Sequence, residues 1–197
     1  MSKKVIGVDV DLTVCATDKL WLQWLNKMQK EVYYESIQAI QDEHRQKILS
    51  YNLSDYYPID NGLDFFRGSS IYDFAIPVEY ARHVLHSLKG VYGFDIVFIS
   101  TIKGNHHKSK YNWLKRYFEF LDGVIFTKEK HYIGVDYMIE DRVDMLNKFP
   151  LSTQCILLDT PYKQAEVEHR PMYKATDWFK VEEFILKTEG VRLDEVN

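Results

Sequence analysis

Cysteine is scarce in this 197-residue chain. The two present, Cys15 and Cys155, form neither a CxxC pair nor the ligand spacing of a zinc module. Both read as reduced, buried thiols of a cytoplasmic protein rather than halves of a disulfide framework. Histidine offers no metal pattern either: His44, His83, His86, His131 and His169 fall into nothing like HExxH, and His106-His107 reads as the solvated start of a helix. Positive charge is in deficit, with a formal net charge of -4, which argues against polymeric nucleic acid as a partner. No apolar run approaches the length of a membrane span, and the chain enters its first strand without an apolar targeting segment, so no membrane partner is expected. Internal repeats, low-complexity tracts and heptads are also missing.

Aromatic side chains, by contrast, are plentiful: 14 Tyr, 11 Phe and 4 Trp. They suit a pocket that stacks planar ligands, and equally a core. The length supports one substantial core with a smaller inserted module. Five apolar runs read as strands: Val5 to Asp9, Ile96 to Ser100, Val124 to Thr127, Tyr137 to Glu140 and Cys155 to Leu158. Helical spacing of apolar residues marks 108–120 and 78–88, and a closing helix is expected over 177–187, with 191–197 frayed. Near-continuous apolar strands alternating with helices predict an α/β protein with a doubly wound parallel sheet. The stretch 16–78 breaks the alternation. Leu20, Trp21, Trp24, Leu25, Met28 and Val32 form one helical stripe, 36–49 reads as a second helix, and 51–66 is rich in turns and aromatics. The expected division is therefore a core of 1–15 and 79–197 with a small helical module, 16–78, inserted after strand one.

The chemistry is concentrated in KVIGVDVDLTV, residues 4–14. Asp9 and Asp11 stand at i and i+2 beyond a buried strand, so on extended chain both carboxylates point the same way. Two like charges this close require a cation, a shared proton or solvent to stay ionised, and Mg²⁺ held by carboxylates and a substrate phosphate is the simplest answer. A plain turn after the first strand is the alternative. Every strand ends in, or is soon followed by, polar residues of catalytic type: Asp9, Asp11, Ser100, Thr101, Lys130, Glu140 and Asp141. Nucleophile, proton donor, phosphoryl-holding hydroxyls, an ammonium and an acidic pair make a set fit for phosphoryl transfer, which needs mostly positioning and charge neutralisation.

In this order the residues resemble the haloacid dehalogenase (HAD) superfamily of phosphohydrolases, whose DxDx[TV] motif is matched by Asp9-Val10-Asp11-Leu12-Thr13, followed by IVFIS ending in Ser100, Lys130, and GVDYMIED ending in Glu140-Asp141. The segments Lys110-Tyr111-Asn112-Trp113, Thr127 to Arg142 and Asp177-Trp178 are similar to the 5'(3')-deoxyribonucleotidases of that superfamily. Two positions depart from the family pattern: Leu12-Thr13 stands in place of Gly-Val, and Glu140-Asp141 in place of Asp-Asp. The resemblance implies a Rossmannoid, HAD-like sheet with residues 16–78 as a cap. It implies Asp9 as nucleophile and Asp11 as general acid and base, with Ser100 and Thr101 on the phosphoryl oxygens, Lys130 balancing charge and Lys103 near the phosphate or simply solvated. Mg²⁺ would be held by Asp9, the main-chain carbonyl of Asp11 and Asp141, with Asp136 or Glu140 in support. Phe65, Phe66 and Tyr72 would either sandwich a nucleobase or form the core of the cap. The expected ligand is a nucleoside monophosphate, pyrimidine first; a homodimer is one assembly the sequence allows. Other readings are a phosphatase for another small phosphoester such as a sugar phosphate, a phospho-accepting receiver protein, and a non-catalytic binding protein on the same fold.

Overall fold

The computed structural model describes residues 3–191. Six parallel strands form a single sheet: β1 (Val5–Val8), β2 (Asp95–Ser100), β3 (Gly123–Phe126), β4 (Tyr137–Glu140), β5 (Gln154–Leu158) and β6 (Tyr173–Ala175). Their order is β3-β2-β1-β4-β5-β6. The chain builds outward from β1 to one edge, then crosses back and builds outward from β4 to the other. The direction of winding therefore reverses between β1 and β4, and in open α/β sheets such a switch point opens a crevice beyond the carboxyl ends of the strands. Val8 pairs with both Phe98 and Ile139, so the chain leaves β1 at Asp9 on the lip of that crevice.

Alternation along the strands divides the core in two. Ile6, Val8, Ile96, Phe98, Ile139 and Ile156 face α3 (Ala81–Gly90), α4 (His107–Tyr117) and α6 (Trp178–Thr188) through Val84, Leu88, Trp113 and Trp178. Ile99, Met138, Cys155 and Leu157 face α5 (Val143–Leu146) and Phe149 on the other side. Gly7 sits on this second face, where an added Cβ would lie 2.9 Å from Met138 Sδ and 3.0 Å from Ile99 Cδ1; only glycine lets those side chains close over β1. Both cysteines are free and buried, as expected.

Between β1 and α3 the chain forms a helical insertion with a core of its own. It contains α1 (Thr17–Met28), α2 (Ile37–His44) and two short 3-10 turns, Leu53–Tyr56 and Gly62–Arg67. Trp21, Leu25, Ile40, Leu49, Leu53, Tyr57 and Phe65 pack together there, joined by Tyr162 from the segment after β5. Leu49 N donates to Pro161 O at 2.8 Å and Lys163 N to Leu49 O at 2.8 Å, so main-chain bonds stitch the insertion to the sheet side. Its entry and exit run side by side, with Ala16 N on Ile76 O (3.1 Å) and Val78 N on Val14 O (2.8 Å).

Element ends depart from the sequence expectations for identifiable reasons. α1 stops at Met28, leaving Val32 outside. α2 stops at His44, where Arg45 turns left-handed at φ 52°, rather than running to 49. α3 begins at Ala81 because Tyr80 turns left-handed at φ 61°. α4 ends at Tyr117 rather than 120. The expected fraying concerns residues that, apart from Val191, lie outside the described ones.

Candidate active site

The floor of the crevice is the loop leaving β1. Asp9 N donates to Ile139 O at 2.9 Å, holding the aspartate against the end of β4. Val14 N and Cys15 N both donate to Val10 O, and Leu12 N donates to Cys15 O at 2.9 Å. The chain thus doubles back at once, and Leu12 takes up φ 63° at the tip. Asp9 and Asp11 both reach the cavity wall, as the i, i+2 spacing predicts.

Two lysines divide the carboxylates between them. Lys130, at the start of the turn Lys130–Tyr132 and buried, donates to Asp9 Oδ1 and, at 2.6 Å, to Glu140 Oε2. Burial alone would lower its pKa, but the two carboxylates outweigh it and raise it, so the ammonium is fixed as a cation. Lys110, fully buried on α4, donates to Asp11 Oδ2 at 2.6 Å, to Ser100 Oγ at 2.8 Å and to Thr101 O at 3.3 Å. The second oxygen of Asp11 accepts the Tyr72 hydroxyl. Burial pushes the Asp11 pKa upward, but Lys110 and then Tyr72 more than reverse this and hold it below the usual carboxylate range.

Asp9, Glu140 and Asp141 converge, with ligand oxygens all within 4.8 Å of one another. Lys130 supplies one positive charge to these three carboxylates. Asp141 is 1% exposed; its carboxylate lies against that of Glu140 and accepts from the Thr13 and Tyr51 hydroxyls, each at 3.4 Å. Burial, then Glu140 and Asp9, push its pKa well above the usual range; the same burial and Asp9 raise that of Glu140 to about 7. A buried, crowded set of hard oxygen donors with one lysine among three carboxylates is what a divalent cation relieves, and the cluster is capable of coordinating one.

Above this floor lies a cavity of ≈ 300 Å³. Sheet-side residues Thr101, Lys103, His106 and Arg142 line it, facing Trp21, Leu53, Phe66 and Tyr72 of the insertion. The two sides meet closely at Gly104, where an added Cβ would lie 2.5 Å from Phe66 O.

Not every expected residue is where the sequence placed it. Asp136 is not in the cluster: it precedes β4, and its Oδ2 accepts from Val5 N at 2.8 Å, at the amino ends of the strands, opposite the crevice. Phe65 is not on the cavity wall; it is buried among Trp21 and Trp24 in the insertion's core, while Phe66 alone of the pair lines the cavity. Tyr72 lines it too, but its hydroxyl is engaged by Asp11. Ser100 lies beneath the wall, fully buried, with its oxygen accepting from Lys110. His106 is a buried wall residue rather than a solvated helix start, and burial lowers its pKa. Lys110 was missed as a site residue. Its signal was a lysine within the apolar helical stripe that carries Trp113, Leu114 and Tyr117.

Comparison with known proteins agrees with this architecture. The family model described as "5' nucleotidase, deoxy (Pyrimidine), cytosolic type C protein" matches residues 3–191. A 5'(3')-deoxyribonucleotidase of Clostridium acetobutylicum is 25% identical over 194 residues, covering 91% of this chain and 93% of its own. Among solved structures, an L-2-haloacid dehalogenase superposes with TM-score 0.60 at 11% identity, covering 94% of this chain and 100% of its own. A HAD family hydrolase from Deinococcus radiodurans R1, with bound phosphate and sodium, gives TM-score 0.59 at 11% identity, covering 96% and 97%. At these identities the structural likeness concerns the fold.

Proposed function

We propose, on the premise that the chain belongs to the 5' nucleotidase, deoxy (Pyrimidine), cytosolic type C family and is a HAD-superfamily phosphohydrolase, that it hydrolyses deoxynucleoside monophosphates, pyrimidine first, to nucleoside and phosphate with Mg²⁺ as cofactor. The observation that carries the reading is the pairing of Asp9, beside the carboxylate cluster, with a small cavity whose far wall is apolar and aromatic. Charge chemistry lies at one end and a surface for a planar, uncharged group at the other. The named activity of the Clostridium acetobutylicum relative supports the same substrate class.

In the first half of the reaction an Asp9 oxygen attacks phosphorus, the bond to the nucleoside oxygen breaks, and that oxygen takes a proton from Asp11. In the second, water attacks the aspartyl-phosphate, Asp11 accepts the water's proton, and Asp9 is regenerated as phosphate leaves. Tyr72 and Lys110 hold Asp11 ionised, the state the hydrolytic half requires; an incoming phosphate dianion favours protonation of its carboxylate neighbours, as the first half requires. Lys130 screens Asp9 from the substrate's charge. Asp9 and Asp141, with the Asp11 carbonyl, would hold Mg²⁺, and Glu140 would orient the set through Lys130. The ion, when bound, supplies charge neutralisation at the phosphoryl oxygens. Thr101 and Lys103, on the wall, would bind those oxygens; Phe66 would face the base. In this reading residues 16–78 act as a cap over a core of 1–15 and 79–197.

The test is a panel of 5'- and 3'-monophosphates, ribo and deoxy, pyrimidine and purine, assayed with Mg²⁺ beside base-free sugar phosphates. Preference for deoxypyrimidine esters is expected. Faster turnover of sugar phosphates than of any nucleotide would replace this reading with that of a sugar-phosphate phosphatase.

A further inference from the structure

Leu12 is held in an unusual conformation. Its backbone is left-handed, at φ 63°, a region that suits glycine and disfavours a branched side chain. Its amide is also tied to Cys15 O at 2.9 Å, so the loop cannot relax without disturbing the turn that carries Asp9 and Asp11. The side chain lines the cavity next to Asp11 and packs in part against the insertion's apolar core. A strained residue kept in place beside reacting groups points to a use for its side chain.

We propose that Leu12 is a specificity-determining residue: its side chain fills the junction between the carboxylate floor and the wall formed by Trp21, Leu53 and Phe66, and so limits the leaving group to a nucleoside with a one-ring base. The inference rests on the nucleotidase reading and deepens it. Position supports it, because Leu12 directly follows the residue proposed to protonate the leaving oxygen, and its side chain therefore borders the space the departing group occupies. Size supports it as well: ≈ 300 Å³ is at the lower end for small-molecule sites, and an isobutyl group at the junction takes a significant part of what a second ring would need.

The experiment compares wild type, Leu12→Ala and Leu12→Gly. Each is assayed with Mg²⁺ on a deoxypyrimidine 5'-monophosphate, a deoxypurine 5'-monophosphate and ribose 5-phosphate, and each is melted. Both variants should raise the purine-to-pyrimidine ratio of kcat/KM by about tenfold, the order that small apolar contacts contribute to discrimination; ribose 5-phosphate, which has no base, reports any loss common to all three esters, and that loss cancels from the ratio. Leu12→Gly should melt above Leu12→Ala, the reverse of the usual order, because only glycine is at ease at this φ. An unchanged purine-to-pyrimidine ratio in active variants overturns the role of Leu12 and leaves the nucleotidase reading standing. A lower melting temperature for Leu12→Gly than for Leu12→Ala overturns the argument from backbone strain. A wild type active on ribose 5-phosphate and inert on both nucleotides overturns the nucleotidase reading, and this inference with it.

Discussion

Asp11 is held by three different parts of the chain: by its own loop, by Lys110 from α4 and by Tyr72 from the insertion. The two donors fix both oxygens, so the carboxylate has one orientation from which to exchange a proton. Asp9, by comparison, makes one side-chain contact to Lys130 and otherwise converges with Glu140 and Asp141. The two residues should therefore fail differently. On the proposed mechanism Asp9→Asn removes the nucleophile and is expected to abolish release of phosphate from every ester. On the same mechanism Asp11→Asn removes proton transfer, which should cost about 10²–10⁴-fold on a nucleotide. On 4-nitrophenyl phosphate, whose leaving group needs little protonation, the Asp11→Asn loss should be clearly smaller. Equal losses on both esters would mean that Asp11 is structural. Tyr72→Phe deletes one hydrogen bond to a charged group, worth about 1.5–3 kcal/mol. It should lower kcat on the nucleotide by roughly ten- to a hundredfold with KM little moved; a change confined to KM would instead assign Tyr72 to substrate binding.

The elements explain why those residues meet, and also which of them could be foreseen. One face of α4 fastens the exit of the insertion: Ser109 accepts from Tyr72 N at 3.1 Å and donates to Asp73 at 2.7 Å, and Trp113 Nε1 donates to Ala75 O at 2.9 Å. Lys110 lies one residue beyond Ser109 and reaches the floor from the same helix. β1, β2, β4 and β5 were legible because buried parallel strands are continuous apolar runs, and Asp9, Ser100 and Glu140 followed as the residues at their ends. Asp136 shares the acidic segment of Glu140 and Asp141, but four strand residues at about 3.3 Å each put it roughly 13 Å away, so position along the strand decided what composition could not. β6 escaped because Tyr173-Lys174-Ala175 is three residues long with a lysine at its centre. Phe65 and Phe66 could not be told apart, since neighbours in a 3-10 turn diverge and only the packed insertion says which points inward. The closing helix expected over 177–187 is found at Trp178–Thr188, with Asp177 as its cap. Asp177 accepts from Lys180 N at 2.9 Å, and Asp177→Ala should cost about 1 kcal/mol, seen as a melting temperature lower by about 2–4 °C for a chain of this size. The Lys180 amide and then the Thr176 hydroxyl hold this carboxyl below its ordinary pKa. Its contribution is therefore full at neutral pH and fades as pH falls below about 4 toward the lowered value. The wild-type advantage over Asp177→Ala should shrink over that range, and a difference that grows on acidification would reject the cap.

At the scale of the whole molecule, a modestly acidic protein gathers its most costly charges at one point, the switch in strand order between β1 and β4. Asp9, Glu140 and Asp141 share a single lysine there, and the fold holds them together although they repel one another. The arrangement works against stability when no cation is bound, because crowding and burial raise the pKa values of Glu140 and Asp141, and carboxyls so shifted favour any state that separates and hydrates them. It favours stability when a divalent cation binds the folded chain only, contributing about 2.7 kcal/mol at a hundredfold excess over Kd. Asp141→Asn separates these opposing effects, since the amide keeps the side chain's shape but cannot ionise, and so removes the cost of burying a carboxyl whose pKa the site holds well above its usual range. Under chelation the variant should melt above the wild type. With Mg²⁺ added the order should reverse, the wild type gaining several degrees and the variant little, while its turnover stays low at every Mg²⁺ concentration. Paired melting curves with EDTA and with Mg²⁺ provide the measurement. If chelation leaves wild-type turnover undiminished, or if Asp141→Asn gains as much from Mg²⁺ as the wild type does, the carboxylate cluster is not the metal site.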